Sequence, residues 1–174
     1  MISEALKKYG NLFELKRSVT TRPEQKIEKA RDNFQLVSAG EFQAMVDSNQ
    51  FIEHQERLHG HRYGTTYAEL KRIKDAGKIP IIEVDVQGAI ELNNKALEGN
   101  FLFIYPPSFE ELRKRIGNRI EDEACFRVRI ADAIKQVEMA NNSVLFTNRL
   151  VNDREEMAID QFCTLIENNY FQEI

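Results

Sequence analysis

Two short runs of almost unbroken apolar residues, Ile79-Pro80-Ile81-Ile82-Glu83-Val84-Asp85 and Phe101-Leu102-Phe103-Ile104-Tyr105, constrain this 174-residue chain more than any other feature. A strand with one wet face alternates polar and apolar residues, so a run without alternation predicts a strand covered on both faces, as in a parallel sheet. Pro80 stands near the start of its run, where a strand residue can forgo an amide bond. Parallel strands need crossovers, and helical patterns stand where crossovers belong. One covers residues 67–76 and ends at Gly77; another covers 87–97; a third is capped by Ser108 with Glu110 and Glu111 in its first turn. Phe126, Ile130, Ile134 and Val137 mark a further helix to about Asn141, and Leu150-Val151 a last short strand. Met157, Ala158, Phe162, Leu165 and Ile166 form the core face of a closing helix. Strand and helix alternate, which predicts an α/β fold.

Upstream, Ile2, Ala5, Leu6 and Tyr9 recur at helical spacing, and residues 13–19 read as one strand leading into Thr20-Thr21-Arg22-Pro23. The helix at 2–9 has no capping segment before it and reads as the back half of a longer one. Residues 24–33 are polar without an apolar period and predict a surface loop. Phe34-Gln35-Leu36-Val37 and Phe51-Ile52-Glu53-His54 predict short strands around a helix at 40–48 whose Phe42, Met45 and Val46 share a face, a small α+β insertion. A hydrophobic content of 42% suffices for one core at this length, so a single domain over 1–174 is expected. Net charge of −4 argues against a general nucleic-acid binder. No apolar run is long enough to cross a bilayer and the first residues lack the order of a secretory signal, which predicts a cytoplasmic protein. Cys125 and Cys163, far apart and in helical patterns, read as reduced packing residues.

The chemistry-bearing residues cluster in a few stretches. Arg22 follows a strand on the Ser18-Val19-Thr20-Thr21-Arg22-Pro23 turn, where hydroxyls, amides and a bidentate guanidinium can converge on one phosphate; an ordinary surface arginine is the alternative. Glu53 and Glu83 end or interrupt apolar strands, where a carboxylate is costly without a partner. A guanine edge, with its N1–H and N2–H donors, is one such partner, and a neighbouring lysine or arginine is another. Gly60-His61-Arg62-Tyr63-Gly64-Thr65-Thr66 sets Tyr63 and Thr65 beside glycines that let backbone approach a ligand, or forms a hairpin turn with a packed tyrosine. Asp85 lies two residues after Glu83, on the same side of the expected strand, and its carboxylate is placed to hold Mg²⁺ through water. Arg113, Lys114, Arg115, Arg119, Arg127 and Arg129 crowd one helical segment, either as a flap over polyphosphate or as a solvated face paired with Glu110, Glu111, Glu121, Asp122 and Glu123. His54, His59 and His61 lack nearby cysteines and a rigid frame for a metal.

In order and spacing, from Ser18 through Asn152-Asp153, these stretches resemble the guanylate kinase family over nearly the whole chain. The resemblance implies a P-loop-kinase-like parallel sheet flanked by helices, a GMP-binding insertion at 24–66 and a helical lid at 113–130. It implies phosphoryl transfer from ATP to GMP, giving ADP and GDP, with Mg²⁺. Ser18, Arg22, Tyr63 and Thr65 would hold the GMP phosphate, and Glu53 and Glu83 would read guanine. Asp85 would lie by the metal, Arg115, Arg119 and Arg129 would be the lid and catalytic arginines, and Asn152 would lie near the adenine pocket. The chain departs from the family pattern at Gln25, where an arginine is expected, at Phe34, where a tyrosine is expected, and at Glu83, where an aspartate is expected. No G-x-x-x-x-G-K-[ST] occurs; Gly77-Lys78 has Arg72 and Ile79 at the flanking motif positions. The resemblance thus predicts a fold without its first strand and P-loop. The alternative function is a catalytically inactive module that binds GMP or a protein partner.

Overall fold

The computed structural model describes residues 1–23, 33–57, 60–118 and 122–171. The chain forms two compact units, Leu6–Leu97 and Glu98–Ile174, the second joined by Met1–Ala5. The helix α1 (Ile2–Tyr9) forms as its spacing predicts.

In the unit Leu6–Leu97, β1 (Phe13–Leu15) pairs in parallel with β6 (Ile79–Ile81), Phe13 opposite Ile79 and Leu15 opposite Ile81. A four-stranded sheet follows the order β3 (Phe34–Leu36), β2 (Ser18–Thr20), β5 (Arg62–Thr66), β4 (Phe51–Glu56). The single strand expected over 13–19 is therefore two strands in two sheets. The chain changes sheet at Lys16-Arg17, because the Lys16 amide donates to the Ile81 carbonyl at 3.0 Å while the Arg17 amide donates to the Glu69 carboxylate at 2.9 Å. The polar residues expected as a loop over 24–33 lie, apart from Asn33, outside the described residues.

The helix α2 (Ala39–Asp47) starts at Ser38, whose hydroxyl accepts the Glu41 amide while the Glu41 carboxylate accepts the Ser38 amide, a capping box. Phe42 is fully buried and forms a cluster with Val19 and Phe51, against which Val37, Met45 and Val46 pack. The helix α3 (Tyr67–Asp75) ends as predicted at Gly77, whose φ of 72° lets its amide reach the Lys74 carbonyl and the Lys78 amide reach that of Ile73. The strand expected over 79–85 stops at Ile81, and Ile79, Pro80 and Ile81 are half-buried rather than fully covered. It stops because Asp85 is taken as the N-cap of α4 (Val86–Asn94), its carboxylate accepting the Gly88 amide at 2.7 Å. Glu83 and Asp85 consequently do not share a strand face; Glu83 is exposed.

In the other unit, β7 (Leu102–Tyr105) and β8 (Asn148–Val151) pair in parallel, with α5 (Phe109–Gly117), α6 (Glu123–Asn141) and α7 (Glu155–Tyr170). Ser108 caps α5 as predicted. Ile130, Val137, Ala140, Phe146, Leu150, Ala158 and Ile166 are buried, whereas Ile104, Ile134 and Met157, expected in the core, are exposed. Helical periodicity sets only the centre of an apolar stripe; residues at its margin meet solvent. Cys125 and Cys163 lie half-buried on α6 and α7.

Candidate functional site

Several polar side chains of the four-stranded sheet gather on one of its faces. Register pairs Thr20 with Tyr63, Tyr63 with Gln55 and Thr65 with Glu53. Opposed residues share a face, so all of these, with Ser18 two positions before Thr20, point to the same side. Val19, Phe51, His54 and Gly64 point to the other, towards Phe42. Strict alternation would send Phe51 and Glu53 to one face. A register shift between them adds a residue to β4, and this bulge lets Phe51 enter the apolar cluster while Glu53 turns to the polar side.

Gly64 is required by that arrangement. A Cβ there would lie 2.6 Å from a Phe51 ring carbon and 3.0 Å from the Glu53 carbonyl oxygen. Gly64→Ala should therefore cost about 1–3 kcal/mol of unfolding free energy by overpacking. Urea denaturation reads it directly, and an unchanged midpoint would show that the ring and strand do not meet in this way.

Glu53 is buried, and Thr65 donates its hydroxyl to it at 2.5 Å. Thr65 has one hydroxyl proton, so its donation is committed to this carboxylate. The other Glu53 oxygen lies 3.2 Å from where a Cβ on Gly88 would stand, so the carboxylate faces the first turn of α4, whose positive end favours the ionised form. Burial nonetheless pushes the Glu53 carboxyl above its usual range; Thr65 and the charge of Lys16 oppose the shift, and Asp85 and Glu91 add to it. Gln55 is held by Glu91 of α4 at 2.6 Å. Beside Thr20, the Arg22 amide donates to the Thr20 hydroxyl at 3.1 Å, and that hydroxyl donates to the Arg62 carbonyl at 2.9 Å. Tyr63 is half-buried, with the Phe34 ring edge-on to it at 6.3 Å.

Asp85 joins this unit's site through Arg57, whose guanidinium meets its second oxygen at 2.9 Å. Both Asp85 oxygens are thus engaged, and a divalent cation would approach through water or by displacing Arg57. Among the described residues no group of three or more His, Cys, Asp or Glu is arranged to hold a metal. Gln25 lies outside the described residues. Lys16, Gln55 and Arg57 take part in the arrangement without having been singled out in the sequence. For Lys16 a signal existed, a lysine breaking an apolar strand pattern; for the other two the strand gave none.

The basic segment belongs to the other unit. Arg115 donates to Glu111 at 2.8 Å and to the carbonyls of Asn152 and Asp153 at 2.7 and 3.1 Å. Arg127 pairs with Glu123, and Arg129 is exposed on α6. Arg119 lies outside the described residues. Asn152 is half-buried and donates its backbone N–H to the Tyr105 carbonyl at 2.8 Å.

The family model described as "Guanylate kinase" matches residues 1–169. The chain belongs to the guanylate kinase family. It is 34% identical over 155 residues to a protein named guanylate kinase from Clostridium perfringens, covering 88% of this chain and 69% of that one. It is 31% identical over 167 residues to guanylate kinase 1 of Oryza sativa subsp. japonica, covering 95% of this chain and 44% of that protein. The solved structure of guanylate kinase from Anaplasma phagocytophilum matches with a TM-score of 0.69 at 26% identity, over 98% of this chain and 82% of that one. The fold is accordingly the mixed α/β, P-loop-kinase-like fold of guanylate kinases. No helix among the described residues is long and apolar enough to cross a membrane.

Proposed function

We propose that this guanylate kinase family member binds GMP on the polar sheet face and accepts phosphate onto it from ATP, giving GDP and ADP. The observation that carries the reading is the Glu53 carboxylate, buried and aligned by Thr65 on the face that also presents Ser18 and Tyr63. An ionised carboxylate only accepts hydrogen bonds, so it matches the N1–H and N2–H of guanine and mismatches adenine, whose N1 is an acceptor. Glu83 would add a second acceptor at the base. Ser18, Arg22 and Tyr63 would hold the anionic end, and Thr65, its proton given to Glu53, would serve by orienting that carboxylate. Asp85 would face the metal through water.

Phosphoryl transfer relies on positioning and charge neutralisation. Arg115, Arg119 and Arg129 would supply the charge, Asn152 would meet adenine, and Mg²⁺ would arrive with ATP and neutralise its phosphates. In this reading residues 1–174 act as one domain, with the acceptor insertion at 24–66 and the lid at 113–130, in the cytoplasm. A second reading, a module that binds GMP or a protein partner without turnover, is favoured by one observation: the Arg115 guanidinium is already engaged by Glu111 and two carbonyls.

A GMP-dependent ADP-release assay tests the first reading. Arg22→Ala should raise KM for GMP about 10- to 100-fold through loss of a charged hydrogen bond worth roughly 1.5–3 kcal/mol. GMP binding without ADP release would support the second reading, and an Arg22→Ala variant with unchanged KM would remove Arg22 from the site.

A further inference from the structure

A lysine buried to 4% exposure is uncommon, and Lys16 is one. It stands where the chain passes from one sheet to the other, and its ammonium donates to the Ser18 hydroxyl at 2.5 Å. Val19 pairs with Gly64 and Thr20 with Tyr63, so the same register continued by one residue sets Ser18 across from Thr65. Thr65 in turn is opposite Glu53 and donates to it. Neighbours in such a row stand about 4.5–5.5 Å apart. A polar row therefore crosses three strands on one face: Lys16, Ser18, Thr65, Glu53, with a cation at one end and a buried carboxylate at the other.

We propose that Lys16 is a positioning residue for base recognition: from the Ser18 end of this row its ammonium keeps Glu53 in the acceptor-only form that a 2-amino-6-oxopurine requires. The inference rests on the proposed guanine-reading role of Glu53. Charged groups bear on the two residues from each neighbouring element: Glu83 and Asp85 before α4, Glu91 on α4, Arg57 after β4 and Glu69 on α3. Four of these five are carboxylates; Arg72 pairs with Glu69 and Arg57 with Asp85, both at 2.9 Å, and Lys16 acts on Glu53. Burial is the larger effect on both, pushing the Lys16 ammonium below and the Glu53 carboxyl above its usual range; against it, Lys16 is the foremost charge favouring ionised Glu53, and Glu53 the foremost charge favouring ionised Lys16. A second consequence follows at Ser18. Because its oxygen accepts from Lys16, its own proton is free to donate outward to an anion.

Without Lys16, protonation of Glu53 would extend to higher pH, and a protonated carboxyl presents a donor where guanine presents donors. The experiment measures GMP dissociation constants from pH 6 to 9 for the wild-type chain, Lys16→Met, Lys16→Gln and Lys16→Arg, and follows the Glu53 carboxyl in the ligand-free proteins by infrared difference against Glu53→Gln. Either neutral variant suffices if the other fails to fold. The expected result is GMP binding weakened towards the acid end of the range, by up to about tenfold where the pH lies below both carboxyl midpoints if the midpoint rises by about one unit, and recovered by pH 9, with the wild-type profile retained in Lys16→Arg. A loss of equal size at every pH, or an unmoved Glu53 midpoint, would overturn the inference. Failure of the wild-type chain to bind GMP would instead sink the guanine reading, while the ligand-free titration still decides what Lys16 does to Glu53.

Discussion

Glu53→Gln should weaken GMP binding about 10²- to 10⁴-fold while leaving the weak binding of AMP nearly unchanged. Two charge-assisted hydrogen bonds from the guanine edge, each worth roughly 1.5–3 kcal/mol, lose their charge or their acceptor, and the glutamine amide meets a donor with a donor. The protein itself should not suffer. Thr65 keeps an oxygen to donate to, and a neutral amide escapes the burial cost that raises the carboxyl of Glu53. The pH dependence carries the sign. With the folded value above the unfolded one near 4.5, the native state holds the extra proton between the two, so stability falls as pH rises through that window. Glu53→Gln should flatten that part of the profile. Calorimetric titration with both nucleotides and a series of melting curves from pH 4 upward measure the two effects. Equal losses for GMP and AMP would show that Glu53 does not read the base.

Phe42→Ala should destabilise the chain by about 3–5 kcal/mol, the usual range for removing a buried phenylalanine ring. The ring is fully buried, stacked on Phe51 at 4.6 Å with an interplanar angle of 22°, and capped by the Arg62 guanidinium at 4.4 Å. Arg62 also holds Gln43 of α2 at 2.9 Å, so the ring ties the helix to the sheet twice over. The effect should reach the polar face. Phe51 is kept on the apolar side by this stack, and the bulge that turns Glu53 the other way begins beside it. Urea unfolding gives the stability change, and GMP titration of the folded variant gives the cost to the site. A loss below about 1 kcal/mol would mean that the cavity closes without strain and that the stack does not anchor the sheet.

The helices were legible because their signals are local. Phe42, Met45 and Val46 share a face at helical spacing, Ser108 caps its helix, and Gly77 ends another in a left-handed turn. The residues of the site were legible as types: a glutamate in an apolar strand, a tyrosine and threonine beside glycines, an arginine after a run of hydroxyls. What stayed hidden depends on partners distant in sequence. The break at Lys16-Arg17 is set by Ile81 and Glu69, and the lysine that interrupts the apolar pattern there does not say which sheet follows. The β4 bulge is a property of the pairing with β5, so alternation alone places Phe51 and Glu53 together. Asp85 reads as a strand carboxylate until the Gly88 amide is seen to claim it, at which point the strand must already have ended.

The account rests on the polar sheet face of the unit Leu6–Leu97 holding a guanine mononucleotide. A crystal structure of the chain with GMP measures this most directly. The predicted result is a base whose N1 and N2 lie within hydrogen-bond distance of the Glu53 carboxylate and a phosphate met by Ser18, Arg22 and Tyr63. A nucleotide bound elsewhere, or one lying on this face with its phosphate towards Glu53, would contradict it.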